Sequence, residues 1–275
     1  GLGSGAVDSI TTGDYNVGVG DNALTANTEG DLNTAIGFES LKANTTGTQN
    51  VATGRKALYA NTTGDYNIAT GSQALSANTT ASYNTAIGHN ALQNNTTANN
   101  NFAGGYHSLR ANTTGGANTA VGYDALLSNT TGSNNVAVGA YALDANTTGI
   151  KNNSLGNYSL TNNTTGSGNV SYGHSALSSN TTANDNVAIG KEALYNNTTG
   201  AGNTSLGKDS MFDNTTGADN VAVGKAALAN NTIASNNTAI GNFALNANTT
   251  GTENTAVGMS ALTSNTTANY NTAIG

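Results

Sequence analysis

The side chains best suited to chemistry in this sequence are few. His89, His107 and His174 are its only histidines, cysteine is absent, and 15 carboxylates face 8 lysines and arginines. A metal centre needs several His, Cys, Asp or Glu donors converging on one point, and no such residue recurs beside His89 and His107. Asp65, Asp144 and Asp219 wander along the chain rather than forming a coordination ladder, and the calcium-binding repeat GGxGxDxUx is missing. No Ser, His and Asp constellation stands out, because nearly every polar residue is duplicated many times over. The glycines precede no long helix, so they do not read as a phosphate cradle. The sequence therefore predicts no enzyme, no metal and no cofactor, with the histidines as solvated loop residues.

What does recur is Asn-Thr-Thr-Gly, and three chemistries compete for it. Asn-x-Thr is the acceptor signature for N-glycosylation. It is met at Asn44, Asn61, Asn78, Asn95, Asn112, Asn129, Asn146, Asn163, Asn180, Asn197, Asn214, Asn248 and Asn265. Alternatively, Asn tolerates left-handed backbone and Gly supplies positive φ, so the phrase is a turn whose Asn and Thr side chains bond from repeat to repeat. A third reading is ice binding through regularly spaced Thr columns. Asn27 and Asn231 separate the first two: each is followed by Thr but then by Glu29 and Ile233, so the acceptor signature lapses while the Asn stays. That favours the backbone role, and an Asn buried in a ladder cannot carry a sugar. Tyr59, Tyr66, Tyr83, Tyr106 and Tyr123 are a further set able to contact sugars, with scattered surface Tyr as the default.

The element that must position these groups is a strict repeat. Gly3, Gly20, Gly37, Gly54, Gly71, Gly88 and Gly105 are spaced by 17, and the series continues through Gly122 and Gly190 to Gly275, which is (275 − 3)/17 = 16 intervals. From its first Asn the unit reads N-[T/V]-A-[I/V]-G-x-x-A-L-x-x-N-T-T-G-x-x, with variation confined to positions 6, 7, 10, 11, 16 and 17. A helical-hairpin repeat needs roughly 33 to 47 residues and a leucine-rich repeat about 20 to 29. Seventeen suits one coil of a parallel β-solenoid, expected as two short strands and two turns. The N-T-A-I-G segment alternates with period two, which is a strand signature. The ALxAN segment is too short and too punctuated for a helix. Coils stacked at roughly 4.8 Å would make a rod on the order of 77 Å. The expected organisation is one continuous array over residues 1–275, of about sixteen coils, reading as an excerpt of a longer fibre.

Composition agrees. Charged residues make up 8% and aromatics 5%, while 35 residues are glycine and none is proline or cysteine. The net charge of −7 comes with no run of either sign, so the basic stripe of a nucleic-acid binder is missing. No stretch approaches the roughly 18 apolar residues of a membrane span, and none reads as a signal peptide.

Comparing repeats with one another locates the core. Position 3 is small throughout: Ala35, Ala52 and Ala69, with Gly18, Ser154, Ser171 and Ser205 as variants. A column that admits only small groups is pressed against something, and the Leu column at position 9 is the obvious partner. Positions 2 and 4 are tolerant, accepting Phe102 and Asn153 or Gly104 and Tyr172, and Phe102 beside Gly104 reads as a local trade of volume. These positions are expected to face outward as an apolar stripe, the alternative being that they form the core and position 3 faces a crowded turn. Its candidate members are Ile36, Val51, Ile68, Ile87, Val121, Val138, Leu155, Ile189, Leu206, Val223, Ile240 and Val257. A stripe of that extent marks an association surface.

The strand phrase carries a resemblance. NTAIG at 33–37, NVAVG at 135–139 and NVAIG at 186–190 resemble the N-S-V-A-I-G motif of trimeric autotransporter adhesin heads, and similar repeats occur in phage tail fibres. The resemblance covers essentially the whole chain, although the family coil is usually a few residues shorter. It implies a left-handed parallel β-roll, three chains side by side, and display on a cell surface or a virion tail. The partners it implies are further copies of the chain, as a trimer or filament, and host-surface or matrix glycans. Glycan-coated filament and ice-binding solenoid stand as the alternatives.

Overall fold

A computed structural model describes residues 2–275. They form two compact units, Gly1–Asn134 and Asn135–Gly275. The first holds seven strands: β1 (Val17–Val19), β2 (Thr34–Ile36), β3 (Val51–Thr53), β4 (Ile68–Thr70), β5 (Thr85–Ile87), β6 (Phe102–Gly104) and β7 (Thr119–Val121). The second holds nine: β8 (Val136–Val138), β9 (Asn153–Leu155), β10 (Val170–Tyr172), β11 (Val187–Ile189), β12 (Thr204–Leu206), β13 (Val221–Val223), β14 (Thr238–Ile240), β15 (Thr255–Val257) and β16 (Thr272–Ile274). Within each unit every strand pairs in parallel with the next, always residue i with i + 17, as Thr34 with Val51 and Ala188 with Ser205. The chain is a parallel β-solenoid of 17-residue coils, with no helix among the described residues.

Each coil carries one strand, at positions 2–4, rather than the two expected. Extended backbone gives way because positions 7, 9 and 17 all lie in the left-handed region; Leu24 has φ 56° and Leu58 φ 50°. Inter-coil bonds nevertheless continue through this arm, with Leu24 N–H donating to the Ser40 carbonyl at 3.0 Å and Ala26 N–H to that of Lys42 at 3.1 Å. A left-handed leucine costs about 1–2 kcal/mol, and fully burying its side chain returns about 1.5–3 kcal/mol. Leu24, Leu58 and Leu92 are 0% exposed, so burial supports the bend that inserts them.

The core is thin. Its large side chains are the position-9 Leu column and Met211, flanked by small residues at positions 3 and 8. Position 3 meets position 8 as well as position 9: Ser154 Oγ donates to the Ser159 carbonyl at 2.8 Å, and Ser171 Oγ to that of Ala176 at 2.7 Å. A Cβ placed on Gly18 would stand 3.8 Å from that of Leu24. Serine is thus accepted where alanine is usual, because a carbonyl lies opposite to receive its hydroxyl.

The glycine at position 5 ends each strand at φ between +121° and +139°. At Gly54 an added Cβ would lie 2.6 Å from the Gly71 carbonyl oxygen of the next coil. Both the dihedral and the close approach of stacked backbones demand glycine there.

Candidate association face

Alternation along each three-residue strand sends position 3 inward and positions 2 and 4 outward. Ala35 and Ala52 are 0% exposed, while Ile36 between them in sequence is 41% exposed. Val51, Ile68, Ile87 and Val121 in the first unit are likewise exposed, as are Leu155, Leu206 and Ile240 in the second. Val138, Ile189, Val223 and Val257 are half-buried on the same face. No lysine, arginine, aspartate or glutamate occupies position 2 or 4 in any coil. Where one coil departs from the pattern its bulk is compensated: a Cβ on Gly104 would lie 3.2 Å from the Phe102 ring, so Phe102 leans across the place its neighbour vacates. Within each unit the face is uncharged and largely apolar, with threonines such as Thr34, Thr85 and Thr204 interspersed.

The Asn-Thr-Thr-Gly turn lies off the strand face and serves the fold. Asn61 Nδ2 donates to Asn44 Oδ1 at 2.8 Å and to the Gly64 carbonyl at 3.0 Å, and Asn78 Nδ2 donates in turn to Asn61 Oδ1 at 2.8 Å. The position-1 Asn builds a second ladder, in which Asn50 Oδ1 accepts from Asn67 N–H at 3.0 Å. Its Nδ2 reaches the same carbonyl as the first ladder: Asn50 and Asn61 both bond Gly64 O. Of the candidate acceptors, Asn44, Asn61, Asn78, Asn95, Asn112, Asn129, Asn146, Asn163, Asn180, Asn197, Asn214 and Asn248 are 0% exposed. Asn265 is half-buried and bonds Asn248 Oδ1 and the Ala268 carbonyl. Asn27 and Asn231, which lack the acceptor signature, belong to the same ladder: each bonds the carbonyl three residues on, Asn27 Oδ1 accepts from Asn44 and Asn231 Nδ2 donates to Asn214 Oδ1.

The two threonines of the turn part company. Position 13 turns its hydroxyl onto the stack, Thr45 Oγ1 donating to the Thr62 carbonyl at 3.1 Å. That carbonyl also receives the backbone N–H groups of Thr45, Thr46 and Gly47. Position 14, as at Thr46 and Thr63, is exposed. Of the two adjacent Thr columns, only one presents its hydroxyls to solvent.

Aromatic residues that look scattered in sequence are stacked in space. Tyr66 and Tyr83 share position 17 and lie 5.1 Å apart with planes 5° from parallel; Tyr106 and Tyr123 share position 6 at 5.3 Å and 7°. Tyr59 lies under the ammonium groups of Lys42 and Lys56, at 5.7 and 5.2 Å. Shared unit position was the available signal for these contacts. His107 is not the solvated loop residue expected from sequence. It packs 3.8 Å from the Tyr106 ring, with Nδ1 3.4 Å from Asp124 Oδ1, and 17% of its side chain is exposed. Burial holds its pKa below the ordinary value, helped by Arg110 and opposed by Asp124. Among the described residues no group of three or more His, Cys, Asp or Glu is placed to hold a metal ion, and no helix is long and apolar enough to cross a membrane.

Fold and face together define a β-solenoid module with an apolar sheet surface. No family model, curated protein or solved structure matches the chain.

Proposed function

We propose that this chain is a structural subunit of an extracellular fibre or adhesin, displayed on a cell surface or a virion tail, which self-associates through its strand face. The observation that carries the reading is the uncharged face at positions 2 and 4, rich in exposed Val, Ile and Leu, in a chain whose charged residues all lie elsewhere. Such a surface offers no charge for a partner to complement, and a second copy of itself is the partner it matches best. The thin hydrogen-bonded core supports a rod that acts by extension and repeated display rather than by turnover. Sugar attachment at the turn is disfavoured in this reading, because it would require opening the amide ladder. The resemblance of the strand phrase to adhesin heads points the same way.

Light scattering on the purified chain tests this reading. The expected mass is a multiple of 27.3 kDa, falling to one chain in a variant carrying Ile36→Lys, Ile87→Lys, Leu206→Lys and Ile240→Lys. A wild-type chain that stays monomeric up to its solubility limit would overturn it.

A further inference from the structure

The corner formed by positions 7, 10 and 11 lies off the strand face, and in the second unit it has a gap. Tyr195 and Phe212, both at position 10, stack with centroids 5.2 Å apart and planes 5° from parallel. In the following coil the column stops: position 10 is Ala229 and position 7 is Ala226, 9% and 8% exposed. One coil is thus emptied of bulk at this corner. A cavity of about 340 Å³ opens there, bounded by Glu192, Asp209, Phe212, Asp213, Ala229 and Asn230. We propose that this notch binds a planar organic cation of the guanidinium class, such as an arginine side chain, laid against Phe212 in the place of the missing ring.

Shape, aromaticity and charge each narrow the ligand. The vacated rung has the thickness of one flat group, since the neighbouring rings repeat at 5.2 Å. The volume lies at the small end of ligand pockets, about 300–1,000 Å³. The face of an aromatic ring attracts a cation, and a guanidinium can lie flat on it while its N–H groups point sideways to acceptors. Three carboxylates wall the cavity, and their local compensation is incomplete. Lys191 Nζ lies 3.4 Å from Glu192 Oε1 and Lys208 Nζ 3.4 Å from Asp209 Oδ2, but both lysine side chains are more than half exposed. Asp209 Oδ1, shielded from solvent, has no hydrogen-bond partner, and Asp213 Oδ1 takes one neutral donor, Asn196 Nδ2, at 3.1 Å. An anion would be repelled, and a neutral ring would leave the carboxylates uncompensated. This inference does not depend on the association reading.

Calorimetric titration of the whole chain with N-acetyl-arginine amide, against the uncharged isostere N-acetyl-citrulline amide, tests it. The arginine probe is expected to bind with an affinity about tenfold or more above that of citrulline. Ala229→Tyr should abolish binding while preserving the fold, because position 10 already carries Phe212 one coil and Tyr195 two coils earlier. The paired change Asp209→Asn with Asp213→Asn should weaken binding by about tenfold without filling the notch. Absence of binding by the arginine probe, equal binding of the two probes, or undiminished binding by Ala229→Tyr would each overturn the assignment.

Discussion

Two substitutions that erase the same Asn-x-Thr signature should have very unequal consequences for stability. Asn61→Ala removes the donation to Asn44 Oδ1 and the acceptance from Asn78 Nδ2. It also removes the bond to Gly64 O, which keeps its other donor, Asn50 Nδ2, at 2.8 Å. Asn78 Nδ2 keeps its bond to the Ala81 carbonyl but leaves one hydrogen unmatched, and Asn44 Oδ1 loses its rung. Both groups are 0% exposed, so water does not reach them. Each buried orphan costs about 1–3 kcal/mol, for a total of about 2–6 kcal/mol. Thr63→Ala destroys the signature equally, but Thr63 is exposed, and a surface change of that kind stays within about ±0.5 kcal/mol. Urea denaturation reads the difference, with amide exchange in the coils of Asn44 and Asn78 showing where the lesion lies, since repeat arrays need not melt in one step. Equal effects of the two changes, or a loss below about 1 kcal/mol for Asn61→Ala, would refute the ladder as the reason this Asn recurs.

Three further outcomes follow from the same geometry. Gly54→Ala should destabilise by about 3 kcal/mol or more, through a disallowed φ and a Cβ against the next backbone; Gly47→Ala should cost less, because its φ is not left-handed and Ala81 and Ala98 already occupy that column, although its Cβ must displace the Gly64 carbonyl oxygen 2.6 Å away, and thermal melts compare the two. His107 has a folded pKa below its ordinary 6.5, so its contribution is fully present above the unfolded value and is lost as pH falls through the folded one. His107→Gln should accordingly flatten the acid side of a melting-temperature profile relative to wild type. Filling the corner notch by Ala229→Tyr should raise the melting temperature slightly by extending the Tyr195–Phe212 stack, as a differential scanning measurement would show.

The sequence made the period, the invariant glycine and the inward column legible because stacking in register punishes any departure at those places. Gly54 recurs because the next coil's backbone lies where a Cβ would go, and Ala35 because position 3 faces the buried positions 8 and 9. The outward course of positions 2 and 4 was legible from their tolerance, and Phe102 with Gly104 was readable as compensating volumes. The single strand per coil was not. Left-handed backbone at Leu24 or Leu58 is set by the need to turn a corner while burying the side chain, and nothing in leucine's own propensity signals it. His107 was misread for a related reason: its burial is made by Tyr106 in its own coil and Asp124 in the next, neither of which is part of a recurring pattern. The notch at Ala229 was legible only by following one column through successive coils, since an alanine is informative there because rings precede it.

The paired amide ladders make successive coils interchangeable. Asn50 N–H and Asn67 N–H each meet an identical Oδ1 from the preceding coil, at 3.0 Å in both cases. Excision of residues 50–66 would therefore present Asn67 to Asn33 Oδ1, just as Asn50 is presented now. The same holds for gain of a coil, so long as whole multiples of 17 are moved. Array length can therefore change by whole coils without redesigning a core. The residues that would record such an event are the pairs at the variable positions: losing one coil strands a Tyr66 without its Tyr83, or a Lys208 without the neighbours it stands among.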